Sequence, residues 1–316
     1  MNAPAAAAAP LLRRRPRRSF ARHRFELALF RLAAGALAIL PGAMSRALGR
    51  FLGRVYLRFG RSRRRILFDN LAAAFPEKTS GEIALIAKKS VESIGSTFVE
   101  FLEVSGMSAE EIRDRIRVVG EENLLRARSQ GRGVFILSAH IGGWELGAIR
   151  AGMLGEPISP VVRPLDNPLL ERELSKRRTR FGNRPIAKRD AARDILKALR
   201  RGETVAILVD QNVLAREAVF VPFFGRPAAT TPALALFQRK TGAPVVPVFT
   251  WPEGDGRYRL EVEPPIDVSI VAGADRDEAV GILTARYMEV TEAAIRRAPE
   301  VWLWMHNRWR TRPEDR

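Results

Sequence analysis

The pattern of apolar and polar positions divides the chain into two unlike parts. Up to about residue 117, apolar positions recur at helical spacing. Beyond Val118, short apolar runs alternate with longer amphipathic segments, the pattern of alternating strands and helices. In the first part, residues 25–44 read FELALFRLAAGALAILPGAM, and their clean apolar run, Leu32 to Leu40, is too short to span a bilayer. Counted back to Phe25 the stretch nears the ~20 residues of a spanning helix, with Glu26 and Arg31 near one end, where charged side chains can snorkel. Residues 46–59 place Arg46, Arg50, Arg54 and Arg58 on one helical stripe, with Leu48, Phe51, Leu52, Val55 and Leu57 elsewhere. That is the pattern of an interfacial amphipathic helix, whether it lies on the bilayer or crosses it. Residues 61–76 close this section. A long helix follows over 81–104, with Ile83, Ile86, Val91, Ile94, Phe98 and Phe101 as its apolar side. A short one over 108–117 is capped by Ser108, with Glu111 completing a capping box.

In the second part the pattern predicts strands at 133–138, 158–162, 204–209, 244–250 and 257–263. It predicts helices at 121–129, 143–154, 168–181, 190–201, 231–241 and 276–297. The expected fold class is α/β: a central, mainly parallel sheet flanked by helices, preceded by an N-terminal membrane-attaching helical segment. The expected organisation is a disordered basic arm over residues 1–24, anchor helices over 25–60 and an α/β domain over 61–316.

Charge sharpens the division. The net charge is +18, yet residues 1–70 hold 16 arginines against Glu26 and Asp69 alone. A uniformly basic nucleic-acid binder distributes its charge differently, so no nucleic-acid partner is expected. A basic arm beside an apolar segment suits an anionic membrane surface instead, with the arm retained on the cytoplasmic side. The chain has no cysteine, which excludes disulfides and thiolate chemistry. Its three histidines are widely spaced and no HExxH occurs, so no metal site is expected. Gly131-Arg132-Gly133 precedes a strand rather than following one, which gives no support to a dinucleotide cofactor.

Candidate chemistry concentrates at Val134 to Ala148, VFILSAHIGGWELGA. The apolar run ends at Ser138-Ala139-His140, and a helical pattern starts at Trp144, so His140 stands where a strand stops and a helix begins. Imidazole takes a proton from an alcohol near neutral pH, and a carboxylate on its other nitrogen fixes the tautomer. Gly142 and Gly143 leave the backbone free to bring Glu145 back to His140, and amides there, or a nearby arginine, are candidates to face an oxyanion. His140 and Glu145 are therefore the expected catalytic pair, suited to an alcohol attacking an activated carbonyl. The bland alternative is a polar sheet-edge histidine beside a surface glutamate.

The chain resembles the late acyltransferases of lipid A biosynthesis, the lauroyl and myristoyl transferases of the lysophospholipid acyltransferase superfamily. The resemblance runs from about Arg61 to Pro313. It is carried by NLAAAFPE (70–77), SAHIGGWE (138–145), VRPLDNPLL (162–170), RRTRFG (177–182), VDQN (209–212), VFVPFFGRPAATT (219–231), GAPVVPV (242–248) and PEVWLWMHNRWRTRP (299–313). The chain departs from the pattern in its arginine-rich leader and in VRP where YRP is common. The resemblance implies His140 as general base with Glu145 as its partner, and Arg178 and Asp210 as further active-site residues. It implies Arg163 as a substrate contact, acyl carrier protein as donor, a lipid A precursor as acceptor, no cofactor, and attachment to the cytoplasmic face of the bacterial inner membrane.

Read on their own, Arg163 and Arg178 match a glycolipid phosphate bidentately, or are solvated charges. Asp210 orients Arg178 or a sugar hydroxyl, or serves as a turn residue. Phe220, Phe223 and Phe224 form an apolar loop that lines an acyl tunnel, meets the membrane or packs inward. Trp302, Trp304 and Trp309 fit an interface or a segment packed on the sheet. His306, with no carboxylate near it in sequence, reads as structural. The rival readings are transfer to another glycolipid or lysolipid, a non-catalytic membrane-binding protein and, on charge alone, a nucleic-acid binder.

Overall fold

The structure is a computed structural model that describes residues 19–188 and 191–315. Four helices lead: α1 (Phe20–Ala38), α2 (Gly42–Phe59), α3 (Arg61–Ala74) and α4 (Ser80–Glu103). Of the arm expected over residues 1–24, residues 1–18 lie outside the described residues, and residues 20–24 are helical, because the Ser19 hydroxyl caps α1 by accepting from the Arg22 amide. Among the described residues no helix is long and apolar enough to cross a membrane. Helix α2 lies along α4 through its small residues: Ser45, Gly49 and Gly53 are buried, and Gly49 and Gly53 face the α4 backbone at Gly95 and Val91. Its large apolar residues are left outside, with Phe51, Leu52 and Phe59 at 52%, 50% and 73% exposure. Helix α4 starts at a capping box in which Thr79 and Glu82 bond each other's backbone amides.

The α/β part continues with α5 (Ala109–Arg115), β1 (Ile116–Val119), α6 (Glu121–Arg128), β2 (Val134–Ser138), α7 (Trp144–Ala151) and β3 (Ile158–Val162). Next come α8 (Pro168–Thr179), β4 (Ile186–Ala187), α9 (Ala191–Arg200), β5 (Thr204–Leu208), β6 (Val219–Phe223) and β7 (Arg226–Thr230). The last elements are α10 (Ala233–Thr241), β8 (Val245–Gly254), β9 (Arg257–Val262) and α11 (Arg276–Arg297). Seven strands form one sheet in the order β1-β9-β8-β2-β5-β3-β4. From β8 to β4 all neighbours are parallel; β9 turns back antiparallel to β8, and β1 follows β9 in parallel. The mainly parallel sheet flanked by helices is the fold class the pattern implied.

Strand β2 is an unbroken apolar run because both of its faces are covered. Phe135 and Leu137 join the core shared with α3, α4, α9, α10 and α11, while Val134 and Ile136 join the core shared with α6 and α7. One local reading changes, and two left open are decided. The helix expected over 108–117 stops at Arg115, and Ile116 to Val119 pair with β9 as an edge strand; tertiary pairing outweighs the local helical pattern. The Ser108–Glu111 capping box is present. The apolar loop around Pro222 is the hairpin β6–β7, with Phe223 and Phe224 buried against Trp302, Trp304 and Trp309. The C-terminal segment carrying these tryptophans packs inward and is tied to the leading helices: Asn70 donates to the Trp304 and His306 carbonyls, and Ser90 to that of Trp302.

Candidate active site

Register brings the key residues together. Strands β2 and β5 pair with Ser138 opposite Leu208, so His140 and Asp210, each two residues further on, emerge side by side beyond the carboxyl ends of the sheet. Open α/β sheets bind ligands there. Asp210 Oδ1 lies 2.9 Å from His140 Nδ1, and its Oδ2 accepts from the His140 amide at 3.0 Å and from the Trp302 indole at 2.8 Å. Asp210 is almost wholly buried. Burial alone would protonate it, but the facing His140 and these hydrogen bonds hold its carboxyl well below the usual range. For His140, burial opposes the charged form, and the Asp210 carboxylate outweighs it, so its pKa stands above the ordinary imidazole value. With Nδ1–H given to Asp210, Nε2 is unprotonated and accepts from the Gln211 side-chain amide at 3.3 Å.

The expected pairing of His140 with Glu145 is therefore not the one observed. Glu145 sits in the first turn of α7 and binds Arg178 of α8 through two hydrogen bonds, of 3.0 and 2.5 Å. Arg178 also lies 3.8 Å from Glu171. A fork-shaped guanidinium takes both carboxylate oxygens, so little of Glu145 is left for the imidazole, to which it contributes only as a nearby charge. The carboxylate that holds His140 arrives from the neighbouring strand instead.

The two glycines also differ from expectation. The Gly142 amide donates to the Val301 carbonyl at 2.9 Å, and that of Gly143 to Thr250 at 3.3 Å. Both amides are committed within the protein, so neither faces the site as an oxyanion donor. What requires glycine is close approach. Gly142 has φ +51°, and a Cβ there would lie 2.1 Å from the Thr250 carbonyl oxygen; one on Gly143 would lie 2.7 Å from the Tyr258 ring. Tyr258 is buried and donates to Glu100, which Arg115 also binds.

A cavity of about 850 Å³ opens beside this cluster, within the usual volume of a small-molecule site. Its lining joins His140, Glu145, Arg163, Arg178, Gln211 and His306 to an apolar set that includes Ile149, Val161, Ile195, Leu208 and Phe237. Arg163 is exposed at the rim, 3.5 Å from Asp166. All of the site residues singled out in the sequence except Gly142 and Gly143, and apart from Asp210 behind the ring, border this cavity. Gln211 and Asn212, which line the cavity, were not singled out; His306, read as structural, lines it too, and Trp302, read as interfacial or packed on the sheet, donates to Asp210. The signal available for Asp210 was the equal spacing of two runs, VFILS (134–138) and TVAIL (204–208), each ending two residues before His140 and Asp210; no local signal marks Trp302. Among the described residues, no three His, Asp or Glu side chains converge as a metal site.

The family model described as bacterial lipid A biosynthesis acyltransferase matches residues 21–311. The chain is 34% identical over 278 residues to the lipid A biosynthesis lauroyltransferase of Escherichia coli (strain K12), covering 87% of this chain and 88% of that protein. It is 31% identical over 300 residues to the palmitoleoyltransferase of the same organism, covering 94% and 95%. Against the myristoyltransferase of that organism the identity is 29% over 269 residues, covering 84% and 79%.

Proposed function

Because the chain belongs to the bacterial lipid A biosynthesis acyltransferase family and is an acyltransferase, we propose that it moves a fatty acyl chain from an acyl carrier protein thioester to a hydroxyl of a lipid A precursor. The observation that carries the mechanism is the Asp210–His140 pair at the mouth of an apolar cavity. His140 Nε2 takes the proton of the acceptor hydroxyl, and Asp210 stabilises the imidazolium that forms. The alkoxide attacks the thioester carbonyl. The tetrahedral intermediate collapses with loss of the thiolate, which recovers the proton from His140. No covalent enzyme intermediate is needed.

Arg178 and Arg163 are the cations through which the acceptor's phosphate is held, and Glu145 fixes the angle of the Arg178 fork. The apolar lining receives the acyl chain. The membrane reading is supported by α2, which turns Phe51, Leu52 and Phe59 outward beside Arg50, Arg54 and Arg58. Apolar side chains flanked by arginines suit the headgroup boundary of an anionic leaflet, on the cytoplasmic face of the inner membrane where an acyl carrier protein is found.

The test is transfer in vitro from acyl carrier proteins of several chain lengths to a lipid A precursor. Wild type forms the ester, and His140→Ala, with an unchanged melt, does not. Near-normal transfer by that variant ends the base assignment. If the purified enzyme ignores the precursor but acylates a lysophospholipid, the acceptor assignment falls and the chemistry stands.

A further inference from the structure

We propose that His306 points a hydrogen-bond donor, its Nδ1–H, into the cavity, and that this donor receives the thioester carbonyl oxygen as it becomes an oxyanion. The inference rests on the acyl-transfer reading above.

The tautomer follows from one contact. The backbone amide of Asn212 donates to His306 Nε2 at 2.8 Å. An amide only donates, so Nε2 is bare, and the single proton of the neutral ring lies on Nδ1. Burial pushes the pKa of His306 down to about 4; the Asp210 carboxylate opposes this, and the nearby Arg308, His140 and Arg63 charges add to it. The ring is therefore neutral at physiological pH.

His306 borders the same cavity as His140. Among the described residues no protein acceptor bonds its Nδ1, and that atom is not one of the buried polar atoms left without a partner. The two histidines thus present opposite functions to one space: His140 a lone pair, His306 an N–H. The amides of Gly142 and Gly143 are both committed elsewhere and do not compete for this role. A neutral imidazole held neutral by its surroundings serves as an electrophile without being titrated.

The ring is also held in place. Its own carbonyl accepts from Asn70 at 2.7 Å. Asn212, which grips Nε2, is pinned in turn to Thr311 by hydrogen bonds of 2.9 and 3.1 Å. A donor fixed before the reaction costs no reorganisation when charge develops.

In the step itself the hydroxyl proton goes to His140 Nε2 and the acceptor oxygen bonds to the carbonyl carbon. The carbonyl electron pair moves to oxygen, against His306 Nδ1–H. When that pair returns, the carbon–sulfur bond breaks and the thiolate takes the proton back from His140.

Two substitutions separate this role from a structural one. His306→Gln sets an amide oxygen where Nε2 was, keeping the grip on Asn212, but leaves nothing at the Nδ1 position. His306→Asn sets an amide N–H near Nδ1 and gives up Asn212. Loss of one oxyanion donor costs about 10²- to 10³-fold in kcat. The expected result is a kcat loss of that size in His306→Gln with KM nearly unchanged, and a kcat within about tenfold of wild type in His306→Asn. A second readout needs no turnover: the infrared carbonyl stretch of a carbonyl-labelled acyl carrier protein thioester, bound without acceptor. It falls to lower frequency on wild type and His306→Asn and stays at its solution value on His306→Gln. The inference is overturned if His306→Gln keeps wild-type kcat, if His306→Asn is the weaker of the two, or if the carbonyl stretch is the same on all three. His140→Ala, assayed alongside, keeps the two readings apart: an active His140→Ala removes the base, whereas an active His306→Gln beside an inactive His140→Ala removes only the donor.

Discussion

Replacing Asp210 by Asn changes one atom and sets two requirements against each other. In the native site Oδ1 faces His140 Nδ1, and Oδ2 accepts from both the His140 amide and the Trp302 indole. An asparagine carries one acceptor oxygen. If that oxygen faces Nδ1, the active tautomer survives, but the new NH₂ group confronts two buried donors. At about 1–3 kcal/mol for each unsatisfied buried group, this orientation costs about 2–6 kcal/mol. If the oxygen faces the two donors instead, they stay satisfied, and the NH₂ group donates to Nδ1. The ring then carries its proton on Nε2 and has no lone pair for the substrate. The second orientation wins by roughly the same 2–6 kcal/mol, so the active arrangement is populated at about one part in 30 to one part in 10⁴.

Asp210→Asn should therefore lose kcat by about that factor while its melting temperature moves little. The assay is single-turnover acyl transfer with the thioester prebound, with the melt followed by circular dichroism. A variant that keeps kcat within a factor of about three of wild type refutes the reasoning, because even the lower bound is about 30-fold. A folded, inactive Asp210→Ala alone would not discriminate, since it also opens a hole beside Trp302.

Two further outcomes follow from the same contacts. Glu145→Gln takes from Arg178 its bidentate carboxylate and leaves only Glu171, 3.8 Å away, and the expected effect is about a tenfold rise in KM. The acid limb of the pH–rate profile should move only slightly, because Asp210, through its charge and its hydrogen bond, does most to hold the pKa of His140 above the ordinary value, and Glu145 adds only a nearby charge. The base works neutral, so kcat/KM falls as pH drops through that raised pKa; a limb moved strongly by Glu145→Gln would restore Glu145 as the partner of His140. Gly143→Ala drives a methyl group to 2.7 Å from the Tyr258 ring, and thermal unfolding should show a loss of about 1–3 kcal/mol. Gly281→Ala, in open space on α11, should instead be neutral or slightly stabilising.

Much of the sheet was legible because buried parallel strands are short, apolar and evenly punctuated: β2, β3 and β5 stand within a residue of their expected bounds. The two-residue β4 and the four-residue edge strand β1 were not, since each is too short to set a pattern of its own and depends on one neighbour for pairing. The site divides in the same way. His140 was visible from strand-end position and scarcity. Its carboxylate was not, because local spacing favoured Glu145, while the true contact depends on the register of β2 with β5, across 70 residues of sequence. The oxyanion assignment failed for a related reason. Paired glycines signal either free amides or close packing, and only the contacts with Thr250, Tyr258 and Val301 tell which.

The most direct measurement is the nitrogen spectrum of histidine side chains in isotope-labelled, detergent-solubilised protein. The chain has three histidines, and His140→Ala identifies one of them. The expected result is a His140 ring that, above its raised pKa, carries its proton on Nδ1 and leaves Nε2 unprotonated. A ring protonated on Nε2 in the resting enzyme would mean that Asp210 does not hold it, and that no base faces the lipid.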